Sequence, residues 1–106
     1  MIVTDLRPPY YAVIFTTLTT DNLVAYEETA HRMEALAREQ PGYLGIESAR
    51  SDVGITISYW ESMDAISQWK NNIEHTEARE RGRAQWYQQY QLRICKVERE
   101  YGFVKK

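Results

Sequence analysis

Between Tyr10 and Thr19, aromatic and β-branched side chains fill nearly every position. Ala12, Ile14, Thr16 and Leu18 fall on one side of an extended chain, and Tyr11, Val13, Phe15 and Thr17 on the other. Such a run predicts a first strand covered on both faces. The spacing then changes: Leu23, Tyr26, Ala30, Met33 and Ala37 recur at steps of three and four with Leu36 beside them, which predicts an amphipathic helix. Glu27, Glu28, Arg32, Glu34 and Arg38 take its solvent side. Thr20, Asp21 and Asn22 offer N-caps, and Pro41-Gly42 stops the helix because proline cannot continue it and glycine accommodates the turn.

Tyr43–Arg50 and Ile55–Trp60, joined by the turn Ser51-Asp52-Val53-Gly54, predict a hairpin of strands two and three. Ser62 is placed to cap a short helix with Met63, Ile66 and Trp69 on one side. Asn71-Asn72 interrupts it, Asn72 caps a following helix from Ile73 to about Gln89, and strand four runs from Tyr90 to Tyr101. The order β-α-β-β-α-β predicts an α+β, ferredoxin-like domain, with a four-stranded antiparallel sheet and its helices on one face. The chain offers no further helices for the opposite face, so a second copy is the expected cover, which makes the protein a homodimer. Pro8-Pro9 sets an extended arm over residues 1–9, leaving residues 10–106 as a single domain.

Composition narrows the class. A chain of 106 residues, 43% hydrophobic and 12% aromatic, suits one folded domain. A net charge of -2 gives no general pull toward nucleic acid or an anionic membrane. No apolar run approaches the roughly 20 residues that span a bilayer, and the N-terminus lacks the apolar core of a signal peptide. Cys95, the single cysteine, fits a reducing compartment and a small buried hydrophobe in a strand. A cytoplasmic protein is expected.

Several stretches resemble the antibiotic biosynthesis monooxygenase superfamily, the dimeric α+β barrel proteins, and in particular its uncharacterised bacterial branch. They are Pro41-Gly42-Tyr43-Leu44 after the first helix, Tyr59-Trp60-Glu61-Ser62 leaving strand three, Trp69 beyond it, and Trp86-Tyr87-Gln88-Gln89-Tyr90 followed by Val97-Glu98-Arg99-Glu100-Tyr101. With the order of elements, the resemblance covers residues 10–103. It implies a dimeric barrel and an activity among cofactor-independent quinone-forming oxygenases, heme-degrading oxygenases and small-molecule isomerases. The heme-degrading branch is matched at Trp69. Arg79 stands where that branch has its heme-ligating histidine, and Phe15 stands near its asparagine. His75 lies one helical turn short of the ligand position.

No dinucleotide fingerprint, P-loop or nucleophile elbow is present, and neither His31 nor His75 has a cysteine or a second histidine at metal-ligand spacing. No cofactor and no metal are therefore expected. What remains is an apolar pocket with a few polar groups that orient a flat, small aromatic ligand. His75 is the candidate general base, since an imidazole titrates near neutrality; the plainer alternative is a first-turn surface histidine. Arg79, one turn on, is either an orienter for a substrate anion or part of a solvated charged face. Asn72 is a further substrate-binding candidate. Trp69 is a core residue or a pocket wall. Trp60, Trp86 and Tyr87 are expected at the dimer interface or sheet edge, and His31 in solvent. Two functions stay open: a cofactor-independent monooxygenase acting on a quinol-type aromatic, with heme degradation as the runner-up oxygenase, or a non-catalytic ligand-binding dimer.

Overall fold

The computed structural model describes residues 2–106 and, at Ile73, the backbone alone; Met1 of the expected arm lies outside the described residues. Strand β1 is Tyr10–Thr19, helix α1 Tyr26–Arg38, β2 Tyr43–Arg50, β3 Gly54–Trp60, α2 Met63–Lys70, α3 Ile73–Arg81 and β4 Tyr87–Val97. A π-helical turn, Gly82–Trp86, joins α3 to β4. The strands form one antiparallel sheet in the order β2-β3-β1-β4, with β1 between the hairpin and the last strand. This is the ferredoxin-like α+β arrangement, and the β2–β3 hairpin forms as its turn residues predict.

The register lines up residues in rows across the helix-facing side of the sheet. Ile46, Ser58, Val13 and Ile94 make one row, Ser48, Thr56, Phe15 and Leu92 the next, and Arg50, Gly54, Thr17 and Tyr90 the third. Because side chains alternate in a strand, these rows are two residues apart, about 7 Å each. The core gathers at the first-row end. Trp60 is completely buried there with Ala37, Ala65 and Ile66, and Tyr11, Val13, Tyr43 and Trp69 pack against them. Gly42 adopts φ 84°, and a side chain on it would run into the Cβ of Ala65. Glycine thus both allows the turn and lets α2 approach.

Four local expectations change. Helix α1 begins at Tyr26 behind Ala25, whose φ is 62°, rather than at a Thr20–Asn22 cap. The Thr20 hydroxyl is occupied elsewhere: it accepts from the Asn22 amide at 3.2 Å and donates to the Gln85 carbonyl at 2.5 Å, tying this loop to the approach to β4. The last helix stops at Arg81 instead of continuing to Gln89, because the wider π turn carries Trp86 inward. There its indole N–H donates to the Val24 carbonyl at 2.9 Å and its ring meets Tyr26 edge-on. Strand β4 correspondingly starts at Tyr87, and it ends at Val97, opposite Tyr10; before Tyr10 the chain is Pro8-Pro9, which has no N–H to extend the ladder. Trp60 and Trp86 are buried within the protomer rather than held at an edge, and Met63 is exposed.

The other sheet face carries Ile14, Leu18, Ile55 and Ile57. At its Tyr10 end the chain covers itself. The Val3 methyls lie where a side chain on Gly45 would be, and the Val3 amide donates to Glu47 at 2.9 Å. Tyr59 donates to the same carboxylate at 2.5 Å, and Tyr10 to Glu100 at 2.9 Å. Tyr10 is pushed up to about 12 by burial and by Glu100, so it remains a neutral donor.

Candidate functional site

A cavity of about 560 Å³ lies between the sheet rows and the three helices. All four strands contribute to its floor, and α1, α2, α3 and the π turn contribute to its roof and mouth. Phe15, Tyr26, Tyr87 and Tyr90 make an aromatic group at one end, with ring centroids 5.3 to 6.0 Å apart. At the other end Trp60, Trp69 and His75 are stacked in sequence. The two indole centroids are 6.1 Å apart, and the imidazole lies on Trp69 at 4.2 Å with 12° between the planes.

The local sequence explains that stack. Ser62 caps α2 by accepting from the Ala65 amide at 3.0 Å, which starts the helix where Ile66 and Trp69 face the sheet. Asn72 then caps α3, its side-chain oxygen accepting from the amides of Glu74 at 3.0 Å and His75 at 3.2 Å. The two helices are separated by only Asn71-Asn72, so the first turn of α3 folds back onto the last turn of α2. His75 consequently reaches the Trp69 carbonyl, with Nδ1 at 2.9 Å from that oxygen.

This contact fixes the chemistry of the ring. A carbonyl oxygen only accepts, so Nδ1 carries the proton and Nε2 keeps the lone pair in the neutral imidazole. Burial holds the His75 pKa below its ordinary value. The bond to the Trp69 carbonyl works the other way, and the Arg79 cation adds to the lowering. The neutral, proton-accepting form is therefore favoured at neutral pH. Arg79 lines the same cavity, one turn along α3, and its Nε is buried with no hydrogen-bond partner.

Of the four residues singled out from the sequence, Trp69, His75 and Arg79 line one cavity, while Asn72 acts on the backbone of α3. His75 is half-buried rather than a solvent-facing surface residue, and Trp69 is both packed on the core and part of the cavity wall. Among the described residues no group of three or more His, Cys, Asp or Glu is placed to hold a metal ion. Sequence reasoning missed the far end of the cavity: Arg50, Thr17, Tyr87 and Tyr90. Their signal lay in the strand alternation, which puts Phe15 and Thr17 on the Val13 side, but the partner strands' register was needed to use it.

Residues 9–81 match the family described as antibiotic biosynthesis monooxygenase, which spans most of the chain. The chain belongs to that family. A relative in Bacillus subtilis (strain 168), the uncharacterized protein YqjZ, is 53% identical over 96 residues, covering 89% of this chain and 84% of YqjZ. Among solved structures, SnoaB, a cofactor-independent oxygenase from Streptomyces nogalater, superposes with a TM-score of 0.74 at 14% identity, over 87% of this chain and 96% of its own. Rv0793 from Mycobacterium tuberculosis gives 0.77 at 13% identity, over 88% and 99%. At such identities these structures establish the shared fold. No helix among the described residues is long and apolar enough to cross a membrane.

Proposed function

We propose that this family member is a cofactor-independent monooxygenase acting on a small quinol-type aromatic, and that it works as a homodimer. The observation that carries the reading is the His75 imidazole lying flat on Trp69 with Nδ1 tied to a carbonyl, which leaves Nε2 as the basic nitrogen in a largely apolar cavity. The description of SnoaB as a cofactor-independent oxygenase is consistent with it.

In this mechanism the aromatic ligand packs against the Trp69 wall and Nε2 takes a phenolic proton. The resulting anion is electron-rich enough to reduce oxygen directly, and a C–O bond forms at a ring carbon that bears hydrogen. Loss of water from the hydroperoxide leaves a quinone carbonyl: one oxygen atom enters the product, the other leaves as water, and the substrate supplies both electron pairs. Arg79 stabilises the phenolate, and the apolar surroundings strengthen that interaction by excluding water. Asn72 positions His75 by capping α3.

The test is oxygen uptake with 1,4-dihydroxynaphthalene. His75→Ala should lower turnover by about 10²- to 10⁴-fold, the range for removing a general base. Arg79→Ala should lower kcat and kcat/KM together, because its contact strengthens as the phenolate forms. Full activity in His75→Ala with binding intact would overturn the assignment. A stoichiometric Soret shift on titration with heme, without quinol turnover, would favour the heme reading instead.

A further inference from the structure

A neutral quinol leaves the charge pattern of the cavity unexplained. Arg50, Lys70, Arg79 and Arg83 all line it, whereas the lining carboxylate among the described residues is Glu34. Glu34 is already engaged by Arg38 at 2.7 Å, and the other ion pair found among the described residues, Arg32–Glu74, also involves none of the four cavity cations. The excess is local, because the chain as a whole has a net charge of -2. Cations collected in a cleft with apolar walls focus a positive potential into it.

The cations are also distributed in space. Arg79 belongs with His75 on α3, and its buried Nε lacks a partner, a costly arrangement for a guanidinium N–H unless a ligand supplies an acceptor. Arg50 and Arg83 lie at the opposite end, in or beside the third row of the sheet. The Arg50 guanidinium folds across the space left by Gly54 and donates to the hydroxyl of Thr17, which is only 3% exposed. Arg83 donates from Nε to the Tyr90 hydroxyl at 2.7 Å and lies over that ring at 5.9 Å. Tyr90 and Thr17 face each other across the β1–β4 ladder, so both arginines converge on one corner of the cavity. Along the strands the third row is about 13 Å from the first, near which the Trp60–Trp69–His75 stack sits. A ligand hydrogen-bonded at both ends needs to span only part of that distance, since each bond covers about 3 Å.

We propose that the ligand of this cavity is an aromatic acid, whose ring and reacting oxygen sit between Trp69, His75 and Arg79 and whose carboxylate is held by Arg50 and Arg83 at the Thr17–Tyr90 end. The placement of the ring rests on the function proposed above; the second, anionic group is argued from Arg50 and Arg83, exposed cations that converge on one corner and have no carboxylate partner among the described residues. A planar guanidinium matches a carboxylate with two parallel hydrogen bonds, and charge-assisted bonds of this kind are roughly twice as strong as neutral ones.

Two ligands that share a ring system separate these statements: 1,4-dihydroxynaphthalene and 1,4-dihydroxy-2-naphthoic acid, titrated without oxygen while tryptophan fluorescence is followed. The acid should bind at least about tenfold more tightly, and raising the salt concentration should narrow the difference, since exposed charge pairs are screened. Arg50→Gln should collapse the acid-to-neutral affinity ratio toward one. Arg83→Gln, at an exposed residue, should reduce the same ratio and covers the case in which Arg50→Gln fails to fold. Equal affinity for the two ligands, or a ratio that neither variant moves, overturns the aromatic-acid assignment and leaves the quinol reading standing. If neither compound binds, both fall together.

Discussion

His75 is held by two neighbours that any substitution must disturb, the ring of Trp69 and its carbonyl. Folding lowers its pKa below the ordinary 6.5, through burial first and Arg79 second. In the unfolded chain the imidazole recovers its ordinary affinity for protons, so below that value the unfolded state binds more protons than the folded one. Stability should be level above about pH 7 and fall progressively as pH drops through the ordinary imidazole range toward the depressed folded value. Denaturation midpoints measured across that window should show the slope in the natural protein and lose part of it in His75→Gln. The acid limb of quinol turnover should likewise lie below the pH expected of a free imidazole. Trp69 is half-buried, so Trp69→Ala should cost less than the about 3–5 kcal/mol typical of a fully buried tryptophan, while weakening ligand binding, since the same ring forms the wall.

Two elements owe their geometry to single small residues. Helix α3 is charged and only weakly amphipathic, and it begins where Asn72 accepts from two amides that would otherwise have no partner. Asn72→Ala should therefore destabilise the protein by about 1 kcal/mol. It should also lower turnover, because one of those amides is that of His75; Asn72→Asp, which keeps the cap, should recover much of both. The π turn depends on space rather than on backbone freedom. Gly82 has φ -59°, ordinary for any residue, yet a Cβ there would lie 2.6 Å from the ring of Tyr87. Gly82→Ala should cost about 1–3 kcal/mol by overpacking, read as a shift in the urea midpoint with an unchanged slope. It should also displace Tyr87 at the far end of the cavity.

At the scale of the molecule, the outer sheet face is covered by the chain's own ends near Tyr10 and left open toward Leu18 and Ile55, which are 36% and 42% exposed. A homodimer that buries this open half accounts for the row of apolar side chains on it. Sedimentation at micromolar concentration should show a dimer, and Ile55→Lys should shift it to monomer without unfolding it. A natural protein that sediments as a well-folded monomer would remove the dimeric barrel from the proposed function. The pairing of Glu47 with Tyr59 and the Val3 amide holds that carboxylate below its ordinary range, so loosening of the N-terminal arm is expected first in acid.

Much of this was legible in one dimension. The alternation of Tyr10–Thr19, the three-and-four spacing from Tyr26 to Ala37, the Pro41-Gly42 stop and the caps at Ser62 and Asn72 are local signals, and they specify elements because backbone geometry and capping act over a few residues. They also place Trp69, His75 and Arg79 at successive turns of two adjoining helices. The end of α3 was not legible, since the sequence to Gln89 continues to suit a helix and only the burial of Trp86 against Val24 and Tyr26 turns it aside. Nor was the second basic corner. Arg50, Thr17, Arg83 and Tyr90 come from four separate parts of the chain, and their convergence depends on strand register. One dimension settled the order of elements and carried the resemblance to the family, since caps, turns and periodicity act over a few residues; the stacking of His75 on Trp69 emerged only in the folded structure. Tertiary structure alone decided which cations share a cavity and which lack a partner, because charge pairing depends on distances between segments that local physics does not set.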